Sequence, residues 1–313
     1  MLIIPLAFDS FGVRSMATFV KTKDVKILID GSAALGPRRY GLSPTEEEFE
    51  ALKACKRNII EVGKIADVLI VTHYHYDHHP YPWDEDLYSI YKNKILLAKD
   101  VNKEINTSGK RRGKIFESKV KKYSKLEYAD GKYFEFGNTL VSFSKAVWHG
   151  DVGTKVGKVV MVYIEEGKDS ILFGSDAQSL ADEKALKFVK EKNPKLLILD
   201  GYPTIFVGWK IDEKNFLNAK ENLKEAIRNV DAEKIILDHH VVRDLDYKER
   251  IRDVLELAEE LDKKILTAAE FLNVENLFLE AWRKEIKDGE RKVNVENYFT
   301  GLMEKIKKKI KNI

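Results

Sequence analysis

The sequence predicts an α/β protein with mixed sheets, and three features carry that prediction. Short, mainly apolar runs at 68–71 (VLIV), 196–200 (LLILD) and 234–238 (KIILD) have the length of buried strands. Stretches of helical periodicity separate them, as parallel strands joined by crossover helices require. The runs 133–136 and 140–143, around Gly137-Asn138, read as a hairpin, and so do 159–164 and 170–173. Finally, four of the seven histidines in 313 residues fall between His73 and His79, directly after an apolar strand ends.

Taken in order, residues 1–8, 13–20 and 25–30 read as strands, with Asp9-Ser10 and Lys23-Asp24 as turns. The opening MLIIPLAF lacks a basic lead and reads as a first strand, not a signal peptide. Residues 32–43 are a loop broken by Gly36-Pro37 and Gly41, and it carries Arg38 and Arg39. Ser43-Pro44-Thr45 opens a helix to about Gly63, with a cap candidate, proline in the first turn and Glu46 to Glu48 near the positive end of the dipole. Cys55 lies inside this helix as a core residue. A helix and a short strand, 94–98, fill 85–106. The basic run 109–122 (GKRRGKIFESKVKK) reads as a solvated helix face rather than a track for a phosphate backbone, and Gly109 and Gly113 suggest a mobile flap. Helices follow at 181–191, 212–229 and 247–262, then a strand at 264–267 and a further helix start at 268–272. Tyr298, Phe299, Leu302, Met303, Ile306 and Ile310 recur at helical spacing with lysines opposite, which predicts a terminal helix packed on the domain. A dimer contact is the alternative role of that face.

Composition excludes several classes. A hydrophobic content of 44% supports one large core. No apolar run approaches the ~20 residues that a membrane span needs. The single cysteine excludes an internal disulfide and a cysteine-based zinc finger, and points to a reduced, cytoplasmic setting. A net charge of +3 does not by itself imply nucleic acid. Charged residues make up 34%, and Gln178 is the only glutamine, a composition expected of a heat-adapted source.

The residues with chemistry in them point to a metal site. His73 and His75 are two apart, so an extended segment projects them to the same side. Asp77 and His78 follow, where Pro80 and Pro82 force a turn. His149 stands alone at the end of a strand, Asp176 follows the strand of LFGSD, and Asp238-His239-His240 ends the last inner strand. Imidazoles and carboxylates converging at strand ends suit a divalent cation. His79 is a further histidine with no assigned role. Tyr81 and Trp83 line a pocket or stacking face, or else take the commoner fate of core aromatics.

HYHYDH at 73–78 matches the HxHxDH signature of the metallo-β-lactamase fold superfamily, and the chain resembles that superfamily over about residues 1–271. The resemblance implies a four-layer αββα sandwich, with residues 272–313 as a helical extension packed on it. His73, His75 and His149 would hold one metal. Asp77, His78 and His239 would hold a second, with Asp176 shared and Asp30 in support. His239 is preferred to His240 as the last ligand, and His240 is left as a substrate contact. After His78 the chain carries His79-Pro80-Tyr81-Pro82 where most members have small glycines. The spacing between motifs leaves no room for the large insert of the β-CASP nucleases.

The implied activity is hydrolysis by a metal-bound hydroxide that Asp77 orients, with two divalent ions, zinc first and iron or manganese as alternatives. No GxSxG serine motif is present. The expected substrate is a phosphate ester or phosphodiester, RNA or a small anion, gripped by Arg38 and Arg39. The competing readings are a lactone, ester or amide hydrolase, a redox iron enzyme, and a non-catalytic metal-binding module. His75 argues against the di-iron flavin members, which the resemblance associates with glutamate at that position.

Overall fold

The computed structural model describes residues 1–311. The first half of the chain builds one sheet from β1 (Leu2–Phe8), β2 (Met16–Lys21), β3 (Lys26–Ile29), β4 (Val68–Val71), β5 (Ile95–Ala98) and β6 (Lys125–Tyr128), arranged in chain order. β1 to β3 form an antiparallel meander and β3 to β6 run parallel. The helices α1 (Glu46–Ile65), α2 (Glu85–Tyr88) and α3 (Thr107–Val120) fall in the crossovers between the parallel strands.

The second half begins with β7 (Tyr133–Phe136) and β8 (Thr139–Phe143), then a small ribbon of β9 (Val147–Trp148) and β10 (Lys158–Val159). It continues through β11 (Val162–Glu166), β12 (Asp169–Phe173), β13 (Leu196–Leu199), β14 (Lys234–Leu237) and β15 (Lys264–Leu266). The second sheet has the order β15-β14-β13-β12-β11-β8-β7. Between and after its strands come α4 (Glu183–Lys192), α5 (Glu213–Asn229), α6 (Tyr247–Arg250), α7 (Arg252–Glu260), α8 (Ala268–Phe271), α9 (Arg283–Lys287) and α10 (Val295–Lys311).

Strand periodicity explains the layering. Ile171, Phe173, Ile198 and Ile236 share a core with Ile27, Ile29 and Ile70 of the first sheet. The residues between them, Leu172, Leu197, Leu199 and Ile235, face the other way and pack with Val189 of α4 and Phe216 and Leu223 of α5. On the far side, α1 packs on β1, and α10 packs on α1 and β1. The result is helix, sheet, sheet, helix. β4 and β13 are buried along their whole length, which is why they read as continuous apolar runs.

Three local expectations are corrected. Thr45 caps α1, its hydroxyl accepting from Glu48 N at 3.3 Å while Glu48 Oε2 accepts from Thr45 N at 2.9 Å. Pro44 therefore precedes the helix instead of sitting in its first turn. Gly109 and Gly113 are buried on the packed side of α3, and a Cβ on Gly113 would meet Val101 and Tyr74 at 2.6 and 2.9 Å. They permit close helix packing and do not mark a flap. The edge strand β6 and the ribbon β9–β10 were not expected, because short, half-polar strands carry little periodic signal.

Candidate metal centre

The parallel strands of both sheets end at one edge of the sandwich, and there the chain places its aspartates and histidines. β3 delivers Asp30, β4 delivers His73 to His79, β12 delivers Asp176, β13 delivers Asp200, and β14 delivers Asp238 to His240. His149 comes from the start of the β9–β10 loop. Irregular backbone at strand ends is where an open α/β fold leaves room for a ligand.

Four overlapping groups of potential ligands form. His73, His75, His149 and Asp176 bring one nitrogen or oxygen each within 4.8 Å of one another, and so do Asp77, His78 and His239; Asp30, His73 and His78; and Asp176, His239 and His240, so that His240 is placed to ligate as well as His239. Within the first group, His149 Nε2 lies 3.0 Å and His73 Nε2 3.4 Å from Asp176 Oδ2, and His75 Nδ1 lies 3.2 Å from His149 Nε2. Atoms held ~2.0–2.1 Å from one tetrahedral centre are roughly 3.3–3.4 Å apart, so this spacing suits a single ion. In the second, His239 Nε2 is 3.6 Å from Asp77 Oδ2. Asp176 reaches both groups: its Oδ1 lies 3.2 Å from His78 Nε2 and its Oδ2 lies 3.8 Å from His239 Nε2.

The fit to cations is tested by what these atoms lack. His73 Nε2, His78 Nε2 and Asp176 Oδ1 are buried and have no hydrogen-bond partner. Leaving such groups unsatisfied costs ~1–3 kcal/mol each, more when charged. Cations in the first two groups would satisfy all three, with Asp176 between them.

The supporting residues fix the ring orientations. Asp30, wholly buried and at a left-handed φ of 49°, accepts from Thr72 N at 2.8 Å and from Thr72 Oγ1 at 2.6 Å, and its Oδ2 lies 2.8 Å from His78 Nδ1. That contact leaves His78 Nε2 free to face Asp176. His239 has φ 108°, a conformation a non-glycine residue adopts only under constraint. The constraint is visible: Asp9 Oδ2 lies 2.6 Å from its Nδ1, and Arg243 Nη2 lies 3.1 Å from its Nε2. The twist lets two consecutive histidines face one centre. His240 Nε2 also comes within 3.8 Å of Asp176 Oδ2, while its Nδ1 is 2.6 Å from Asp200 Oδ2.

Burial, with the neighbouring histidines, pushes His73 and His75 down to about 3, so both are neutral and ready to ligate. His78 goes the other way: Asp176 and Asp30 outweigh its burial and raise it well above the usual range. His239 is raised to about 9, burial being overcome chiefly by Asp9. Asp176 is held well below the usual carboxylate range because His78 and His73 outweigh its burial.

These shifts predict unequal pH dependence of metal loading. At neutral pH the metal-free protein carries protons on His78 and His239, and an ion must displace them. Affinity of the second group should therefore rise with pH as His239, raised to about 9, and His78, raised well above its usual range, give up their protons, whereas His73 and His75 impose no such demand above about pH 3. Zinc calorimetry near pH 6 and near pH 9 should show one equivalent tightening far more than the other. Equal pH slopes for both would remove this asymmetry.

Some residues that matter here were read otherwise in the sequence. Asp9 was expected only as a turn residue, and Arg243 and the pairing of Asp200 with His240 carried no motif. One signal was available: apolar strands end repeatedly in aspartate, at Asp9, Asp30, Asp176, Asp200 and Asp238. Arg38 and Arg39 do not reach the cluster. Arg38 is exposed and donates to Gly41 O at 3.2 Å, while Arg39 donates to Arg243 O at 3.1 Å and stacks 4.4 Å from the Tyr40 ring centre. The arginine beside the cluster is Arg243. His79 is buried, its Nδ1 2.8 Å from His75 O, and it braces the motif from behind.

Two sheets between helices, with HxHxDH at the end of β4 and the later histidines and aspartate at the same edge, constitute the metallo-β-lactamase fold. The chain is 42% identical over 306 residues to a UPF0282 protein of Saccharolobus islandicus, covering 97% of this chain and 98% of that one. It is 44% identical over 306 residues to a UPF0282 protein of Pyrococcus furiosus, covering 95% of each. The chain belongs to the UPF0282 family. Solved structures similar to this UPF0282 protein include an isothiocyanate hydrolase from Delia radicum gut bacteria, with 16% identity, a TM-score of 0.48, and coverage of 82% of this chain and 94% of that chain. Another is the metallo-β-lactamase fold protein YhfI from Bacillus subtilis, with 13% identity, a TM-score of 0.45, and coverage of 84% and 90%. No protein-family model matches the sequence.

Proposed function

We propose that this UPF0282 protein is a dinuclear metallo-hydrolase acting on phosphate esters or phosphodiesters. His73, His75 and His149 would hold one divalent cation and Asp77, His78 and His239 the other, with Asp176 between them. Zinc is the first choice, with iron or manganese compatible with the same donors. The observation that carries the reading is Asp176, whose buried carboxylate turns Oδ2 to His149 Nε2 at 3.0 Å and Oδ1 to His78 Nε2 at 3.2 Å and so reaches both groups. When bound, such a pair of ions supplies Lewis acidity and brings the pKa of water toward neutral.

The chain's own residues do the rest. Asp77, with 17% of its side chain exposed, would orient a water for attack through a carboxylate oxygen. His240, steadied by Asp200, offers Nε2 to a substrate oxygen. Asp9, which accepts from Arg243 Nε at 2.7 Å, fixes the His239 ring through Nδ1 at 2.6 Å. The preference for phosphate rests on Arg112 of α3, whose Nη1 donates to Tyr74 O at 3.2 Å and whose guanidinium lies 5.1 Å from the Tyr76 ring centre, beside the motif. We place the protein in the cytoplasm of a heat-adapted cell, on its single buried cysteine and its Lys- and Glu-rich composition. No helix among the described residues is long and apolar enough to cross a membrane.

The test is elemental analysis with a substrate panel. Metal-loaded protein is expected to turn over a generic phosphodiester, and His75→Ala to lose at least ~10³-fold of that rate. Inertness toward phosphodiesters and RNAs, together with turnover of lactones or thioesters, would overturn the phosphate assignment.

A further inference from the structure

Beside the metal centre stands a column of aromatic rings that the chemistry above does not use. Tyr76 lies between His75 and Asp77 in the sequence, so the column is anchored inside the motif. The Tyr76 ring stacks on buried His79, with centroids 5.2 Å apart and planes 23° from parallel. Tyr81 stacks on Tyr76 at 4.0 Å and 22°, and Trp83 on Tyr81 at 4.8 Å and 25°. The column thus runs outward from a buried imidazole to an indole that is 74% exposed. Arg112 holds its guanidinium 5.1 Å from the Tyr76 ring centre, tied to the motif through Tyr74 O.

The outermost ring is held in place before anything binds. Pro80 and Pro82 restrict the backbone on one side of Trp83. On the other, Asp84 accepts from Leu87 N at 3.3 Å and pairs with Lys56. A fixed, exposed indole loses little entropy when something stacks on it. Nearly parallel rings select a flat π-face over an aliphatic group. Arg112 places one positive charge against the column, suited to a phosphate.

We propose that Trp83, braced from beneath by Tyr81 and Tyr76, is a stacking platform that takes the base of a nucleoside phosphate on its outer face. The proposal deepens the phosphodiesterase reading and rests on it for the substrate class. It narrows that class from any phosphate ester to free nucleotides or single-stranded RNA ends.

The experiment measures binding of adenosine monophosphate, ribose 5-phosphate and a phosphorothioate pentaadenylate to the metal-loaded full chain. Wild type should bind the nucleotide about fivefold to a hundredfold more tightly than the sugar phosphate, the effect of one stacked base. Trp83→Ala should erase that preference and Trp83→Phe should keep it. Trp83 is exposed, so folding should survive; Tyr81→Leu serves as the second variant, with thermal melts to verify both. Tighter binding of the pentamer assigns the platform to RNA, and equal binding assigns it to free nucleotides. Equal affinity for nucleotide and sugar phosphate, or a preference untouched by Trp83→Ala, would overturn the platform. Phosphodiester turnover by wild type is scored separately. A base preference without turnover keeps the platform and removes the hydrolase reading, whereas turnover without a base preference removes the platform alone.

Discussion

Asp176→Ala is expected to lower phosphodiester turnover by at least ~10³-fold and to leave the purified protein with less than its full complement of metal. The residue is a carboxylate that reaches both ligand groups, at 3.0 Å from His149 Nε2 and 3.2 Å from His78 Nε2. Removing it takes away the negative charge that lets His73, His78, His149 and His239 sit so close together. Two effects then act in the same direction. Each ion loses a donor, and the remaining imidazoles repel whenever they are protonated. A milder substitution separates support from ligation: Asp30→Asn should keep both ions but weaken their binding ~10–100-fold, because Asp30 acts through His78. Elemental analysis and turnover on the same samples distinguish the cases. An Asp176→Ala protein with two bound ions and an unchanged rate would end the dinuclear account.

Arg283→Ala is expected to destabilise the protein by about 3–5 kcal/mol, the effect of orphaning a buried ionic partner. Arg283 is fully buried at the start of α9 and holds Glu48 bidentately, with Nε to Oε2 at 2.8 Å and Nη2 to Oε1 at 2.6 Å. The same guanidinium donates to Leu42 O at 3.0 Å and Gly36 O at 2.8 Å. One side chain therefore ties the C-terminal segment to the loop before α1 and to the Glu48 that closes the Thr45 capping box. Its loss leaves the buried Glu48 carboxylate without its counter-charge and takes a donor from each of two carbonyls. A midpoint lower by on the order of 10 °C should appear in a thermal scan. The double variant Glu48→Leu with Arg283→Met should recover much of the loss, since no charge is then stranded. A single-variant melt within a degree of wild type would mean that water or a neighbour replaces the contacts.

The strands and longer helices were legible because burial imposes a period on sequence. VLIV, LLIL and KIIL could only be buried strands once helices flanked them, and α5 and α10 carried clear apolar stripes. The metal residues were legible because imidazoles rarely cluster without a reason and because HxHxDH fixes their relative directions. Arg38 and Arg39 show the limit. Their place on a loop after β3 suggested a substrate grip, but the loop turns back so that Arg39 binds the carbonyl of Arg243. Gly109 and Gly113 show another: glycine permits motion and also permits close approach, and only the neighbours Val101 and Tyr74 distinguish the two.

By itself the sequence determined which segments form strands and helices, that they make an α/β protein, and which residue types gather at strand ends. Those are local properties, written in side-chain period and turn chemistry. Only the tertiary structure decided that Asp9 grips His239, that Asp200 grips His240, and that four aromatic rings line up beside the motif. Each joins atoms distant in the chain or turned by a backbone angle, such as the φ of 108° at His239, that no sequence pattern encodes. Long-range pairing depends on how two sheets meet at their edges, and that is settled by packing summed over the whole core.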